Sequence, residues 1–237
     1  MKILNFFSLN DTSRIENVKE DKNYCSSTEA LIKLGTLNLG YLPWTSSSMT
    51  PQSIVYILNE IIINKRRRVM ELGMGLSTVF IARLMQEIED IQLLSVDHDK
   101  DWIDTCSFQL ASKCLDTDRH IIIHAPLAEQ KDARLETFNY YDLEALSIGK
   151  AFKPDLVIID GPPAWREDIS DARIPAYETL SPLVNSSTTV FIDDYQRKGE
   201  SKLLDLFLSN PDWTLSHKDP DANVAILRNA GTEYNAF

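Results

Sequence analysis

A chain of 237 residues with 43% hydrophobic content is long enough for one sizeable α/β domain with a short accessory segment. Its 24 basic against 35 acidic side chains leave a formal charge of −11, which disfavours nonspecific binding to nucleic acid or to an anionic membrane, since both need a net basic face. No apolar run reaches the roughly 18 to 20 residues of a membrane span, and "MKILNFF" is too short and too soon followed by charge to be a secretory signal, so a cytoplasmic location is expected.

Residues 1–50 are polar and irregular and read as an N-terminal lid or docking segment ahead of a domain over 51–237. "PWTSSSMTP" is a loop that delivers the chain to a helix starting at Pro51, "PQSIVYILNEIII". The run "KRRR", Lys65 to Arg68, reads as a solvated connection at that helix's C-terminus, where cations suit the helix dipole, with an anion-binding patch as the alternative. Short apolar runs then alternate with helical stretches. "RVMELG" precedes a helix near Ser77 to Ile88, and "IQLLSVD" precedes one near Trp102 to Lys113. "HIIIHA" is followed by a helix around Tyr141, "PDLVIID" by one near Ile174 to Leu183, and "TTVFIDD" by one from about Glu200 to Leu208. This alternation indicates a parallel sheet covered on both faces. "WTLSHKD" and "NVAILRN" are too close for a helical crossover and predict a terminal antiparallel hairpin. Cys25, Cys106 and Cys114 form no CxxC pair and argue against structural zinc or a disulfide framework.

Four motifs stand at predicted strand ends in a fixed order: "ELGMGLST", "SVDHD", "IIDGPP" and "FIDDY". With five parallel strands and a terminal hairpin, the chain from about residue 40 onward resembles the Rossmann-like S-adenosylmethionine-dependent methyltransferases. "IDGPP" followed by "IDDYQR" is similar to a subgroup of small-molecule O-methyltransferases, and "IDDY" to metal-dependent sugar O-methyltransferases. The resemblance implies a doubly wound, mostly parallel seven-stranded sheet with ligands outside the strands' carboxyl ends. Gly73 and Gly75 would let the turn pass under the amino-acid part of S-adenosylmethionine. Helix N-terminal amides with the Ser77 and Thr78 hydroxyls would receive its carboxylate, and Glu71 would face its ammonium, directly or through water. Asp97 would accept from the ribose hydroxyls with His98 beside it, and the turn carrying Pro126 and Leu127 is the candidate adenine edge. The dinucleotide pattern G-x-G-x-x-G is not met, because Thr78 stands where the third glycine would be, and there is no P-loop G-K-[ST].

Methyl transfer from a sulfonium is an in-line displacement that needs the acceptor hydroxyl aligned and deprotonated. Asp160 ends the fourth predicted parallel strand and Asp193 and Asp194 end the fifth, so the three carboxylates share one rim. In the family's catechol-type and macrocin-type members, corresponding acids bind a divalent ion, which makes Asp160, Asp193 and Asp194 candidate ligands for magnesium. The alternative pairs these acids with Arg166, Arg173 or Arg197 and leaves Asp160 or Asp193 as general base, with His98 and His124 as further candidates. Trp44, Tyr140, Tyr141 and Trp165 are candidate pocket walls. The expected reaction is O-methylation of a small acceptor, a sugar, an aromatic or another natural-product-like molecule, with a homo-oligomer as an open alternative to a monomer. Two other readings stay open: an aminopropyltransferase-like enzyme and a non-catalytic cofactor-binding subunit.

Overall fold

The computed structural model describes residues 26–115, 117–131, 136–146 and 151–229. Residues 1–25 of the expected lid, with Cys25, lie outside the described residues. The first described element is α1 (Ser27–Gly35), which starts in a capping box in which Ser26 and Glu29 satisfy each other's backbone amides. Next, α2 (Pro51–Ile63) has Thr50 as its N-cap, accepting from the Ser53 amide, and a proline in its first turn. The chain continues through β1 (Arg68–Leu72), α3 (Leu76–Met85), β2 (Gln92–Asp97), α4 (Lys100–Ser112) and β3 (His120–His124). Then come β4 (Leu127–Lys131), β5 (Thr137–Tyr141), α5 (Leu143–Leu146), β6 (Leu156–Ile159), α6 (Ala176–Leu180) and β7 (Thr189–Asp193). The last three elements are α7 (Lys198–Ser209), β8 (Trp213–Asp219) and β9 (Val224–Asn229).

The main sheet has seven strands in the order β3-β2-β1-β6-β7-β9-β8. β1, β2, β3, β6 and β7 are parallel, whereas β9 runs antiparallel to both β7 and β8. The expected seven-stranded sheet with its terminal hairpin is therefore present. Chain order reverses between β1 and β6, which opens the ligand crevice of a doubly wound sheet at their carboxyl ends. Strand side chains alternate between two cores. Met70, Leu72, Val157, Ile159, Val190 and Ile192 face α6 and α7; Val69, Leu156, Ile158 and Phe191 face α1, α2 and α3.

Two sequence expectations change. Tyr141 lies in a strand, not a helix: β4 and β5 pair with each other as a separate antiparallel sheet, and the following helix, α5, has four residues. "TFNYY" buries Phe138 and Tyr140 on one side of an alternating pattern, and aromatic residues at that period favour a strand. The basic run is not a solvated connection either. Arg66 is 4% exposed, pairs with Glu60 at 2.8 Å and donates to the Thr189 hydroxyl at 2.7 Å. Arg67 pairs with Asp90 at 2.7 Å, and the Arg68 guanidinium lies over the Phe152 ring. Since Arg228 also reaches Glu60, at 2.8 Å, the run serves as a brace between α2, β7 and β9. Finally, the described part of the N-terminal segment packs along the helices. Ala30, Leu34 and Met49 enter the α2–α3 core, Leu39 and Leu42 pack on Val79, Leu110 and Leu115, and Trp44 stacks beside Phe80 with ring centroids 6.1 Å apart.

Leu34 is 4% exposed within that core, so Leu34→Ala should lower unfolding stability by about 2–5 kcal/mol in a urea titration. A loss below about 0.5 kcal/mol, the range of a neutral surface change, would mean that α1 is detachable from the fold.

Candidate functional site

The β1–α3 turn is set by glycine at Gly73, whose φ is +100°. A Cβ there would lie 2.9 Å from the Asp160 carbonyl carbon and the Gly161 nitrogen, so the bare backbone is needed where this turn presses against the end of β6. Gly75 differs. A Cβ on it would meet nothing within 4 Å, so packing inside the chain does not call for glycine there.

Glu71 is completely buried beneath this turn. Its carboxyl accepts from the hydroxyls of Ser77 at 3.0 Å, Thr78 at 2.6 Å and Ser95 at 2.5 Å. Thr78 Oγ1 also accepts from the Gly75 amide at 3.0 Å, which links the acid to the turn. Burial pushes Glu71 up to about 7; the three hydroxyls act against that shift, and the charge of Asp160 adds to it. Both hydroxyls expected to meet a ligand carboxylate are therefore directed at Glu71.

Asp97 ends β2 and is 5% exposed. One of its oxygens accepts from the Met74 amide at 2.9 Å, and the other accepts from the Asp99 amide at 3.0 Å and lies 3.1 Å from His98 Nδ1. The Trp102 indole donates to the Met74 carbonyl at 2.8 Å, so the acid and the indole hold the glycine turn from two sides. On the neighbouring strand, His124 Nε2 lies 3.1 Å from the His98 carbonyl, and the Pro126 carbonyl accepts from the Asp142 amide at 2.9 Å just before Leu127 opens β4.

On the other side of β1, the three rim acids converge. Asp160, Asp193 and Asp194 each present an oxygen within 4.8 Å of the others. Arg173, 3% exposed, lies among them. Its fork donates to the carbonyls of Pro162 at 3.0 Å, Asp160 at 2.5 Å and Asp193 at 3.2 Å, which ties the end of β6 to the end of β7. It also lies 3.3 Å from Asp160 Oδ1, 3.4 Å from Glu200 Oε1 and 3.7 Å from Asp194 Oδ2. Arg197 pairs with Asp194 Oδ2 at 2.6 Å, and the Asn223 amide donates to Asp194 Oδ1 at 3.1 Å. Sequence offered a shared acid site and arginine pairing as alternatives, and the structure contains both. Four acids, counting Glu200, face two guanidiniums, which leaves an excess of two negative charges when all are ionised. Burial accordingly pushes Asp160 up to about 6 against the pull of Arg173. Asp193, hydrogen-bonded to Asp160, is raised well above the usual carboxylate range by burial and then by the charges of Asp160 and Asp194.

The aromatic candidates separate. Tyr141 is fully buried with its hydroxyl against Gly161, next to the Gly73 turn; Tyr140 is fully buried and Trp44 belongs to the helix core, whereas Trp165 is 67% exposed on the loop after β6. Arg166, on the same loop, pairs with Asp168 at 2.5 Å. Tyr140 lines a cavity of about 240 Å³ with Met70, Pro175 and Leu183, bordered by none of the rim acids or turn glycines. Sequence reasoning missed Ser95, Glu200 and Asn223. A polar residue inside the apolar run "LLSVD" was the signal for Ser95; the other two depend on long-range packing.

Residues 70–195, more than half of the chain, match the family described as a methyltransferase domain. No protein of curated function matches the sequence. Among solved structures, the chain is similar to the Podospora anserina methyltransferase PaMTH1 bound to S-adenosylhomocysteine, at 12% identity and a TM-score of 0.56, over 98% of this chain and 100% of that one. It is also similar to the Streptomyces achromogenes O-methyltransferase TomG, involved in tomaymycin synthesis and solved with S-adenosylmethionine, at 14% identity, a TM-score of 0.53 and coverage of 92% and 96%. A Bacillus cereus O-methyltransferase in complex with S-adenosylhomocysteine gives 15% identity, a TM-score of 0.51 and coverage of 92% and 98%.

Removing the buried cation while its acids remain should be costly. Arg173→Met is expected to lose about 3–5 kcal/mol of unfolding stability, measured by urea denaturation at neutral pH. Wild-type stability in that variant would mean that the fork is dispensable.

Proposed function

We propose that this chain, which belongs to the methyltransferase-domain family, moves the methyl group of S-adenosylmethionine to a hydroxyl oxygen of a small molecule. The observation that carries this reading is the placement of a glycine turn, a ribose-type acid and a cluster of raised acids on the carboxyl ends of adjacent strands β1, β2, β6 and β7. Bound S-adenosylmethionine would supply a methyl group activated by its sulfonium. The open space at Gly75 suits close approach of that ligand. Asp97 accepts from the ribose hydroxyls, with His98 alongside, and Pro126 and Leu127 border the adenine. Because the Ser77 and Thr78 side chains are directed at Glu71, the ligand carboxylate falls to backbone amides of the turn and the helix start.

At the acceptor side, in the absence of a bound ion, Asp160 or Asp193, both raised by burial, would take the acceptor hydroxyl's proton. Three carboxylate oxygens within 4.8 Å, with a surplus of negative charge, fit a hard divalent cation such as magnesium. When bound by Asp160, Asp193 and Asp194, such an ion would hold the acceptor oxygen and lower its pKa. Arg173 keeps the two strand ends in register, and Trp165 offers an exposed ring surface beside them. The formal net charge of −11 supports a small-molecule acceptor over nucleic acid.

Calorimetric titration with S-adenosylhomocysteine should give saturable binding that weakens at least tenfold in Asp97→Ala, since each bond to a charged acceptor contributes about 1.5–3 kcal/mol. No binding to the parent chain would defeat the reading. Separately, Mn²⁺ titration followed by electron paramagnetic resonance should show one site that weakens at least tenfold in Asp193→Asn, as loss of a charged ligand implies. Unchanged Mn²⁺ binding in that variant would remove the metal and leave Asp160 as the base.

A further inference from the structure

One face of the main sheet is incompletely covered. On the Met70 and Val157 side it carries α6, a helix of five residues, about one and a half turns. The neighbouring β4–β5 hairpin is paired with itself and not with the sheet. Between helix and hairpin lies the cavity of about 240 Å³. Pro175 leads into α6 and Pro182 follows its end, and both line the cavity. With φ fixed at both prolines, the short helix has little freedom to settle into the space beneath it.

Protein interiors hold few voids larger than a water molecule. An apolar cavity of about 150 Å³ already takes benzene, and this one is about one and a half times that size, the room that two fused rings need. Its chemistry is one-sided. Met70, Tyr140, Leu146 and Leu183 are buried and supply apolar and aromatic walls. Lys131 and Glu178 stand at its edge, exposed and of opposite charge, so the lining has no net charge with which to select an ion. A charged ligand would leave water for apolar walls and lose its hydration.

The cavity is also set apart from the rim. Its Tyr140 wall packs edge-on against Tyr141, with ring centroids 5.2 Å apart, and the Tyr141 hydroxyl fills the space where a Gly161 side chain would stand. The tyrosine pair therefore lies between the cavity and the seam where the Gly73 turn meets the end of β6.

We propose that this cavity is a second ligand site of the chain, for an uncharged, flat molecule of two fused rings, separate from the methyl-transfer site and filled independently of it.

The test is a fluorescence titration of 2-naphthol, a two-ring molecule uncharged at neutral pH, with the parent chain. Binding should saturate at one site and persist in excess S-adenosylhomocysteine. Phenol, with one ring, should bind at least about tenfold more weakly because it has less apolar surface to bury. 1-Hydroxypyrene, with four rings, should not bind, since close-packed walls leave it no room. Leu183→Phe places a ring in the cavity and should weaken 2-naphthol by at least about tenfold, with the affinity for S-adenosylhomocysteine unchanged. If that variant fails to fold, the size series on the parent chain decides. No saturable binding of 2-naphthol, its displacement by S-adenosylhomocysteine, equal binding of 1-hydroxypyrene, or parent-like binding in folded Leu183→Phe would each overturn the inference. The inference does not rest on the methyltransferase reading: were S-adenosylhomocysteine not to bind, the size series and the variant would still decide it.

Discussion

Arg173 is a full positive charge removed from water, and the ends of β6 and β7 are arranged around that burial. Its guanidinium is satisfied by the carbonyls of Pro162, Asp160 and Asp193 and by neighbouring carboxylates. Backbone carbonyls at two strand ends are thus fixed by one rigid planar group, a task that the flexible point charge of lysine would not reproduce. The acids nearby outnumber the cations, so they keep protons at values where exposed carboxylates have lost them. The raised carboxyls of this rim follow from that imbalance together with burial, not from any single residue.

The β1–α3 turn works on the opposite principle. Its buried acid has hydroxyl partners in place of a cation, and these partners belong to the helix start that would otherwise offer its side chains to a ligand. Asp97 likewise spends acceptor capacity on the turn, taking the Met74 amide, while Trp102 fixes the Met74 carbonyl. The glycine turn is therefore held in shape before any ligand arrives. Preorganisation of this kind lowers the ordering cost of binding.

Much of this was legible in the sequence because the signals were local. Alternating apolar runs and helical stretches marked the five parallel strands, and the short spacer before "NVAILRN" marked the terminal hairpin. Aspartates at strand ends placed Asp97, Asp160, Asp193 and Asp194 on one rim, as the register of β1, β2, β6 and β7 now gives. What escaped was set by distant packing. Arg66 looked solvated because nothing nearby in sequence reveals Glu60, Arg228 and Thr189 closing around it. Tyr141 looked helical because its neighbours mix aromatic and acidic residues, and its strand partner Leu127 lies fourteen positions earlier. Ser77 and Thr78 read as ligand contacts in the sequence, and only the fold directs their hydroxyls at Glu71.

Among the described residues, β4 and β5 pair with each other and join the domain through side chains such as Phe138 and Tyr140, without a hydrogen-bonded ladder to the main sheet. The register of β6 and β7 therefore does not depend on that pairing. The spacing between Asp160 and Asp193 is set within the main sheet, by the parallel pairing of β6 with β7.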